Sequence, residues 1–240
     1  MPTPSSLTRP LTGLTLVIEA STAAGGVALL NGERVVAERA VPMGAGYSDG
    51  LFPGIQQLLA EAGVVAGDVE ALVCGAGPGS FTSLRIAASL AKGLAYGLGR
   101  PLYAVPSMLL AAASLDDSVT GELVLHADAL RGERYVQPVH RDAAGRVIAA
   151  GPAVRIPAEE LLNQSSALQR VALLKTPDEL PGVAVVAPRA AMATRVDGAW
   201  REEPVDLATW EPQYGRLAEA QVKWEASHGR ALPDAPLAAG

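Results

Sequence analysis

The sequence has few of the residue types that metal sites, disulfides and stacked aromatic rings require. Its 240 residues include one cysteine, three histidines and only 4% aromatic residues. A single cysteine, Cys74, excludes an internal disulfide framework and a cysteine-rich zinc site. His126, His140 and His228 are widely separated, and none belongs to an H-x-x-x-H or H-E-x-x-H pair. We therefore expect no metal-binding residue and no metal-dependent hydrolase.

Basic segments and long apolar runs are also missing. The formal net charge is -6, with 19 Lys and Arg residues against 25 Asp and Glu residues. A protein that binds nucleic acid alone needs cations to neutralise phosphates, so the acidic balance argues against stand-alone nucleic-acid binding. No apolar run approaches the length of a membrane span, and residues 1–12 lack the apolar stretch of a signal peptide. We expect a globular, cytoplasmic protein that makes no membrane contact.

What the sequence does contain is an alternation of strand and helix patterns. It opens with three apolar segments, and Asn31-Gly32 is predicted to form a type I′ hairpin turn between the second and the third. The later elements of this half are predicted from their periodicity as helices at 48–62 and 80–98, strands at 71–74 and 102–105, and a short helix from Ser107 to Ala113. The order of the first half is therefore βββαβαβα.

The second half begins in the same way. Its predicted elements are strands at 122–127, 134–141 and 146–150, a helix at 157–164 with Pro157 in its first position, and strands at 171–174 and 183–187. Two such units in succession predict an α/β protein with the duplicated actin-like fold (ASKHA, ribonuclease H-like) of two βββαβα-type halves. Two unrelated α+β units are the alternative. The predicted domain division is a disordered N-terminus at 1–12, halves at 13–115 and 116–228, and a disordered tail at 229–240.

A glycine-rich loop, Gly75–Ser80, lies between a predicted strand and a predicted helix. Such loops can bind phosphate through backbone N–H groups. This one lacks the Lys-Ser or Lys-Thr of a P-loop and the third glycine of a dinucleotide-binding motif, and Pro78 removes one donor. Phosphate binding and a tight turn for close packing both remain open.

In both halves, the first strand runs into an acidic residue near a turn. These residues are Glu19 and Asp128, and in phosphotransferases of the actin-like fold the equivalent turns face a shared cleft. A possible vestigial nucleotide cleft would contain Glu19, Ser21, Thr22, Gly77, Gly79, Ser80 and Asp128. A small-molecule kinase of this fold is therefore an alternative function, although we expect no catalytic residue.

Several segments together resemble one protein family. Gly77-Pro-Gly-Ser-Phe-Thr-Ser-Leu-Arg85, followed by Ala91-Lys-Gly-Leu-Ala95, resembles the signature of the TsaB (YeaZ) family. Leu16 to Thr22 and Asp128 to Tyr135 resemble further segments of it. The resemblance implies a non-catalytic subunit that pairs with the catalytic subunit TsaD and the ATPase TsaE to install threonylcarbamoyl on tRNA adenosine. It also implies tRNA contact only through the complex and no intrinsic cofactor beyond possible weak ATP or ADP binding there. A homodimer and a monomer both remain open for the chain without its partner.

The resemblance also implies that the first two helices form the partner interface. The apolar face of the helix at 48–62 is unusually wide, which suits either a core position or a partner surface. The interface residues that we predict from the resemblance are Leu51, Phe52, Ile55, Leu58, Leu59, Ala87, Ala88 and Ala91. Five positions depart from the family pattern, namely Glu19, Ala20, Tyr47, Ser83 and Leu130. Near the C-terminus, Trp210 and Tyr214 are expected to dock the tail on the second half.

Overall fold

The computed structural model describes residues 11–43, 50–130, 132–163, 169–173, 184–214 and 227–229. The first half contains the strands β1 (Leu14–Glu19), β2 (Ala24–Asn31), β3 (Arg34–Pro42), β4 (Ala71–Gly75) and β5 (Leu102–Val105), and the helices α1 (Leu51–Ala62), α2 (Phe81–Leu98) and α3 (Ser107–Ala113). The second half contains β6 (Gly121–Leu130), β7 (Glu133–Arg141), β8 (Val147–Ala149), β9 (Val154–Pro157), the helix α4 (Ala158–Asn163), β10 (Gln169–Leu173) and β11 (Ala184–Val186).

The two sheets have the same strand order. The first runs β3-β2-β1-β4-β5, and the second runs β8-β7-β6-β10-β11, with β9 also paired to β7. In each sheet the first three strands are antiparallel, and the next two continue parallel to the opening strand. This repeat confirms the predicted duplication.

Five layers follow from the way the apolar residues are distributed. Strands expose alternate side chains to opposite faces, and both faces of each sheet carry buried apolar residues. Between the sheets, α3 and a 3₁₀ helix at Ala190–Arg195 fill one large core. On the outer face of the first sheet, α1 and α2 cover a second core. On the outer face of the second sheet, α4 covers a core of three buried residues, Val124, Val136 and Leu161.

Two predicted turns differ in register from the structure. The first hairpin turns at Gly32 and Glu33, because Asn31 is already paired with Arg34. Gly32 supplies the positive φ of 59° that the first turn position needs. In the second half, β6 continues to Leu130, so the turn predicted across 128–133 is shorter than expected.

Two helix starts also differ. Pro157 ends β9, where it pairs with Glu133, and α4 begins one residue later. Proline tolerates this place because a strand terminus need not donate a ladder hydrogen bond. At α1, the predicted cap Ser48 lies outside the described residues, and Gly50 precedes the helix without a side-chain cap.

Charged side chains join the two halves around the 3₁₀ helix. Arg189 forms an ion pair with Glu38 of β3. The guanidinium of Arg201, whose side chain is buried, donates to Glu33 at 3.0 Å and to the carbonyls of Ala193 and Thr194. Because both acids belong to the first half, these contacts hold the second half against it.

The structure describes only a small part of the two terminal segments that are predicted to be disordered. Leu11 is buried in the core between the sheets, so the segment predicted as 1–12 is ordered at that residue. Residues 1–10 and 230–240 lie outside the described residues. Among the described residues, no helix is long and apolar enough to cross a membrane.

Candidate functional site

The loop between β4 and α2 donates its backbone N–H groups to the protein itself. Ala76 donates to the carbonyl of Val105 at 2.7 Å, and Ser80 donates to the carbonyl of Ser21 at 2.8 Å. Gly77 donates to Ser107 Oγ at 3.1 Å. Since Pro78 has no N–H, most of the donors that would bind a phosphate are already engaged. The loop is a tight turn that connects β1, α3 and α2.

A buried carboxyl group lies beneath this loop. Glu19 is fully buried at the end of β1. Its Oε1 accepts the N–H of Ser21 at 2.5 Å, and its Oε2 accepts the hydroxyl of Ser107 at 2.8 Å. Burial raises the pKa of Glu19, and the hydrogen bonds from both serines oppose this shift. The carboxyl group therefore organises the loop and is closed to solvent.

Two glycines make this close packing possible. A Cβ on Gly75 would lie 1.9 Å from Glu19 Oε2, and one on Gly79 would lie 2.1 Å from the carbonyl oxygen of Ser21. Both distances are far inside van der Waals contact, so any larger side chain would displace the β1–β2 turn. Gly75 and the signature residue Gly79 thus have a packing role.

The segment from Val205 to Tyr214 returns from the second half to the first and covers the same loop. We call it the C-terminal strap. Val205 donates its N–H to Leu102 on the edge of β5 at 2.8 Å, and Gln213 donates to Ala76 at 2.7 Å. The carbonyl oxygen of Gln213 would lie only 2.4 Å from a Cβ added to Gly77. The strap therefore occupies the space directly above the glycine-rich loop.

The aromatic residues of the strap dock on α2. The ring centroids of Tyr214 and Phe81 are 4.7 Å apart, and Lys92 Nζ lies 5.7 Å from the ring centroid of Trp210. The prediction that Trp210 and Tyr214 dock on the second half was wrong, because the chain crosses back before these residues. The predicted boundary at 116–228 therefore includes a strap that packs on the first half.

The residues of the predicted nucleotide cleft come together only in part. Those that meet around the loop are Glu19, Ser21, Gly77, Gly79 and Ser80. Thr22 is buried, and its Oγ1 accepts the N–H of Ala24. Asp128 lies on the other sheet, opposite Arg134. Among the described residues, no group of three His, Cys, Asp or Glu side chains is placed to hold a metal.

A cavity of about 510 Å³ lies where the two halves meet. Its lining comprises Ala23, Ala24, Gly25, Gly26, Glu38, Arg39, Ala40, Pro42, Ala187, Pro188, Arg189 and Ala190. None of the seven predicted cleft residues contributes to it. Ser107 and Gln213, which fix the loop, were not predicted, because their partners are distant in the sequence.

The predicted interface residues lie mostly in the core of the chain. Seven of the eight are buried: Leu51, Ile55, Leu58, Leu59, Ala87, Ala88 and Ala91. All of them except Ala88 belong to the core on the outer face of the first sheet, so their side chains pack within the chain. Phe52 is the exception, with 49% of its surface exposed.

The outer face of α2 is open and lined by small residues. Ser89, Gly93 and Gly97 recur every four residues and are exposed, so they share one side of the helix. Apart from the helix's own backbone, a Cβ on Gly93 or Gly97 would meet no atom of the described residues within 4 Å. Tyr96, beside them, is 83% exposed. Glycine destabilises a helix interior by about 1 kcal/mol relative to alanine, and packing against the described part of the chain does not explain its presence here.

Comparisons with known proteins identify the relatives of the chain. A family model described as TsaD, tRNA N6-adenosine threonylcarbamoyltransferase, matches residues 44–196. The protein TsaB of tRNA threonylcarbamoyladenosine biosynthesis from Haemophilus influenzae is 33% identical over 133 residues, covering 53% of this chain and 54% of the relative. The protein of the same name from Bacillus subtilis is 34% identical over 120 residues, covering 50% of this chain and 52% of the relative. The chain spans about half the length of the curated relatives it matches.

Solved structures extend the likeness over more of the chain. YeaZ from Pseudomonas aeruginosa superimposes with a TM-score of 0.68 at 27% identity, covering 85% of this chain and 100% of that chain. A second structure, described as an uncharacterized protein with similarity to peptidase YeaZ from Pseudomonas aeruginosa, gives a TM-score of 0.70 at 25% identity, with the same coverage. This likeness and the repeated strand order confirm the predicted actin-like fold.

Proposed function

Because the chain belongs to the TsaB (YeaZ) family, we propose that it acts in tRNA threonylcarbamoyladenosine biosynthesis as a non-catalytic partner subunit. Its partner in this proposal is the catalytic subunit TsaD, and the ATPase TsaE joins the assembly. The observation that carries the pairing role is the open outer face of α2, where two glycines lie beside an exposed tyrosine.

The glycine-rich loop supports a role without catalysis by this chain. Its N–H groups donate to Val105, Ser107 and Ser21, and the C-terminal strap lies above it. A phosphate at this loop would have to displace several internal hydrogen bonds, each worth about 1 kcal/mol. The loop therefore contributes to the subunit by fixing the first turn of α2.

The outer faces of α1 and α2 support pairing with another helical surface. Small residues let two helix backbones approach closely, so that their side chains pack around the contact. Gly93 and Gly97 provide such an approach on α2, and the exposed ring of Phe52 provides apolar area on α1. Aromatic residues are enriched at the centres of protein interfaces. We place the interface on these exposed residues in place of the buried ones that the sequence indicated.

The charge of the chain supports tRNA contact through the partner. A net charge of -6 repels a polyanion. In this proposal the TsaD and TsaE subunits provide the cationic contacts to tRNA, and this chain positions TsaD. Any weak ATP or ADP binding would then belong to the assembled complex.

Co-purification of the chain with the TsaD subunit of the same organism tests the pairing. Leucine favours helices more than glycine does, so Gly93→Leu keeps the chain folded while blocking a close approach. We expect Gly93→Leu to weaken the complex at least tenfold and to lower threonylcarbamoyladenosine formation in the reconstituted system. The matched control is Gly67→Leu, at an exposed glycine outside α1 and α2 whose Cβ would also meet no atom within 4 Å.

Two results would contradict the proposal. Equal retention of TsaD by Gly93→Leu, Gly67→Leu and the unmodified chain would place the interface elsewhere. Tight binding and turnover of Mg-ATP by the isolated chain, measured by calorimetry and phosphate release, would instead favour the small-molecule kinase.

A further inference from the structure

The outer face of the second sheet carries buried cationic and imidazole side chains. His126 of β6 is paired in register with Val136 of β7 and Ala172 of β10. Because strand residues two apart share a face, Arg134 of β7 and Arg170 of β10 lie on the same face as His126. This is the face that α4 covers, since Val124 and Val136 pack against Leu161.

Two of these side chains are buried and have nitrogen atoms without a hydrogen-bond partner among the described residues. His126 is 3% exposed, and both of its ring nitrogens lack a partner. Arg134 is 8% exposed, and its Nη1 lacks a partner as well. An unpaired buried polar group costs about 1–3 kcal/mol, and a charged group costs more. Three such atoms on adjacent strands, beneath one short helix, are a costly arrangement for the chain alone.

Two arginines of this face lie close enough to His126 to affect its pKa. Arg134 and Arg170 both act on His126: after burial, they are the next causes that lower its pKa, to about 4. The imidazole is therefore neutral at pH 7 and has one N–H to donate. Asp128, opposite Arg134 on the same face, makes interactions of its own. Glu159 and Glu160 of α4 are exposed.

We infer that Arg134 and His126, with Arg170 beside them, form a binding site for a small oxyanion between the second sheet and α4. A phosphate or carboxylate group accepts hydrogen bonds from the fork of a guanidinium and from a neutral imidazole N–H. It would satisfy the unpaired Arg134 Nη1 and one ring nitrogen of His126. This inference does not depend on the proposed role in tRNA modification.

The first test follows the Hε1 resonance of His126 by NMR in the unmodified full-length chain at pH 7. Sodium phosphate and sodium acetate are added in separate titrations, with sodium chloride holding the ionic strength constant. We expect a saturable shift of the His126 resonance and no matching shift of His140, which is half-exposed and hydrogen-bonded to Glu122. A response to phosphate alone identifies a phosphate site, whereas a response to acetate alone identifies a carboxylate site.

The second test measures thermal unfolding of variants in the same salts. We expect phosphate or acetate, whichever shifts His126, to raise the Tm of the unmodified chain by several degrees and to have no such effect on Arg134→Gln. The control Arg155→Gln removes an exposed arginine of the neighbouring β9, which pairs with Glu133, and should retain the increase. If Arg134→Gln does not fold, the NMR titration decides the question.

Two results would overturn the inference. One is a His126 resonance that stays unchanged at tens of millimolar of both salts. The other is a loss of the Tm increase in Arg155→Gln as complete as that in Arg134→Gln, because the effect would then come from general surface charge.

Discussion

The two halves share a strand order but differ in what covers their outer faces. The first sheet is covered by α1 and α2, of 12 and 18 residues, over a core of many buried apolar side chains. The second sheet is covered in the described region by the six residues of α4, over three buried apolar residues. On that face, His126 and Arg134 occupy places that apolar side chains fill in the first half.

The two halves share one architecture, but their different outer layers give them different properties. In the first half, two long helices cover a large apolar core on the outer face of the sheet, and the outer side of α2 is exposed. A thin layer leaves the second sheet with buried polar groups that need a counterpart. We therefore expect mutations to act on stability mainly in the first half and to act on pH and anion dependence mainly in the second.

Truncating a core leucine in each half should give the largest contrast. Leu58 of α1 and Leu161 of α4 are both almost fully buried. We expect Leu58→Ala to lower the free energy of unfolding by about 4 kcal/mol, because it leaves a cavity in a dense core. Leu161→Ala should cost about 2 kcal/mol, since α4 can collapse onto a small cluster. Urea unfolding of both variants measures the difference, and equal losses would contradict the contrast between the two cores.

The free energy of unfolding should depend on pH through the titration of His126. Burial, together with the neighbouring Arg134 and Arg170, lowers the pKa of His126 from 6.5 to about 4 in the folded chain. The unfolded chain therefore takes up this proton first, and stability is lost as pH falls from about 6.5 to about 4. The loss should be on the order of 3 kcal/mol. His126→Leu should flatten this part of the profile in urea unfolding at several pH values, and an unchanged slope would exclude His126 as its source.

Removing the hydroxyl of Ser107 should loosen the glycine-rich loop of the first half. Ser107 accepts from Gly77 and donates to the buried Glu19, so Ser107→Ala leaves two buried groups unpaired. We expect a loss of about 1–3 kcal/mol and faster hydrogen exchange at Gly77. The matched control is Ser118→Ala, in an exposed turn where Ser118 bonds only to Asp116 among the described residues. Similar losses in both variants would argue against the special role of Ser107.

Replacing a glycine on the exposed face of α2 should change the free energy of unfolding least, and it should raise that free energy where the other variants lower it. Gly93→Ala should stabilise the isolated chain by about 0.5–1 kcal/mol, because alanine favours the helix and meets no neighbour. Gly79→Ala, in contrast, should destabilise it by about 1–3 kcal/mol, because the new methyl group collides with Ser21. Thermal unfolding compares the two, and a destabilised Gly93→Ala would mean that this face is packed within the chain.

The elements that local periodicity defines could be predicted from the sequence. The helices α1 and α2, and the strand pattern of both halves, have clear 3.6- and 2-residue periods, and this is why the duplication is visible in the sequence. Periodicity also shows that a helix has an apolar face, but it does not show what that face contacts. For this reason the sequence assigns Ile55 and its apolar neighbours on α1 to a partner, although they pack on the first sheet. The glycines at 93 and 97 carry the better signal, since a helix interior seldom contains two without a reason.

Long-range contacts explain the rest of the differences. The spacing around Pro78 already excludes the two nucleotide motifs, but Ser107 and Gln213 occupy the loop through contacts that no local pattern encodes. The docking of Trp210 depends on the path by which the chain leaves the second half. Tertiary packing determines this return of the chain, and local patterns in a single sequence do not predict it.

The C-terminal strap has a consequence for the way the chain is made. Synthesis proceeds from the N-terminus, and domains generally fold in that order. At Leu102, Ala76 and Phe81, however, the first half also makes contacts that residues between Val205 and Tyr214 supply. Its edge strand and its glycine-rich loop therefore remain incomplete until the ribosome has released the chain as far as the strap. The two halves are repeats in architecture, yet the first of them can mature only after the second has been synthesised.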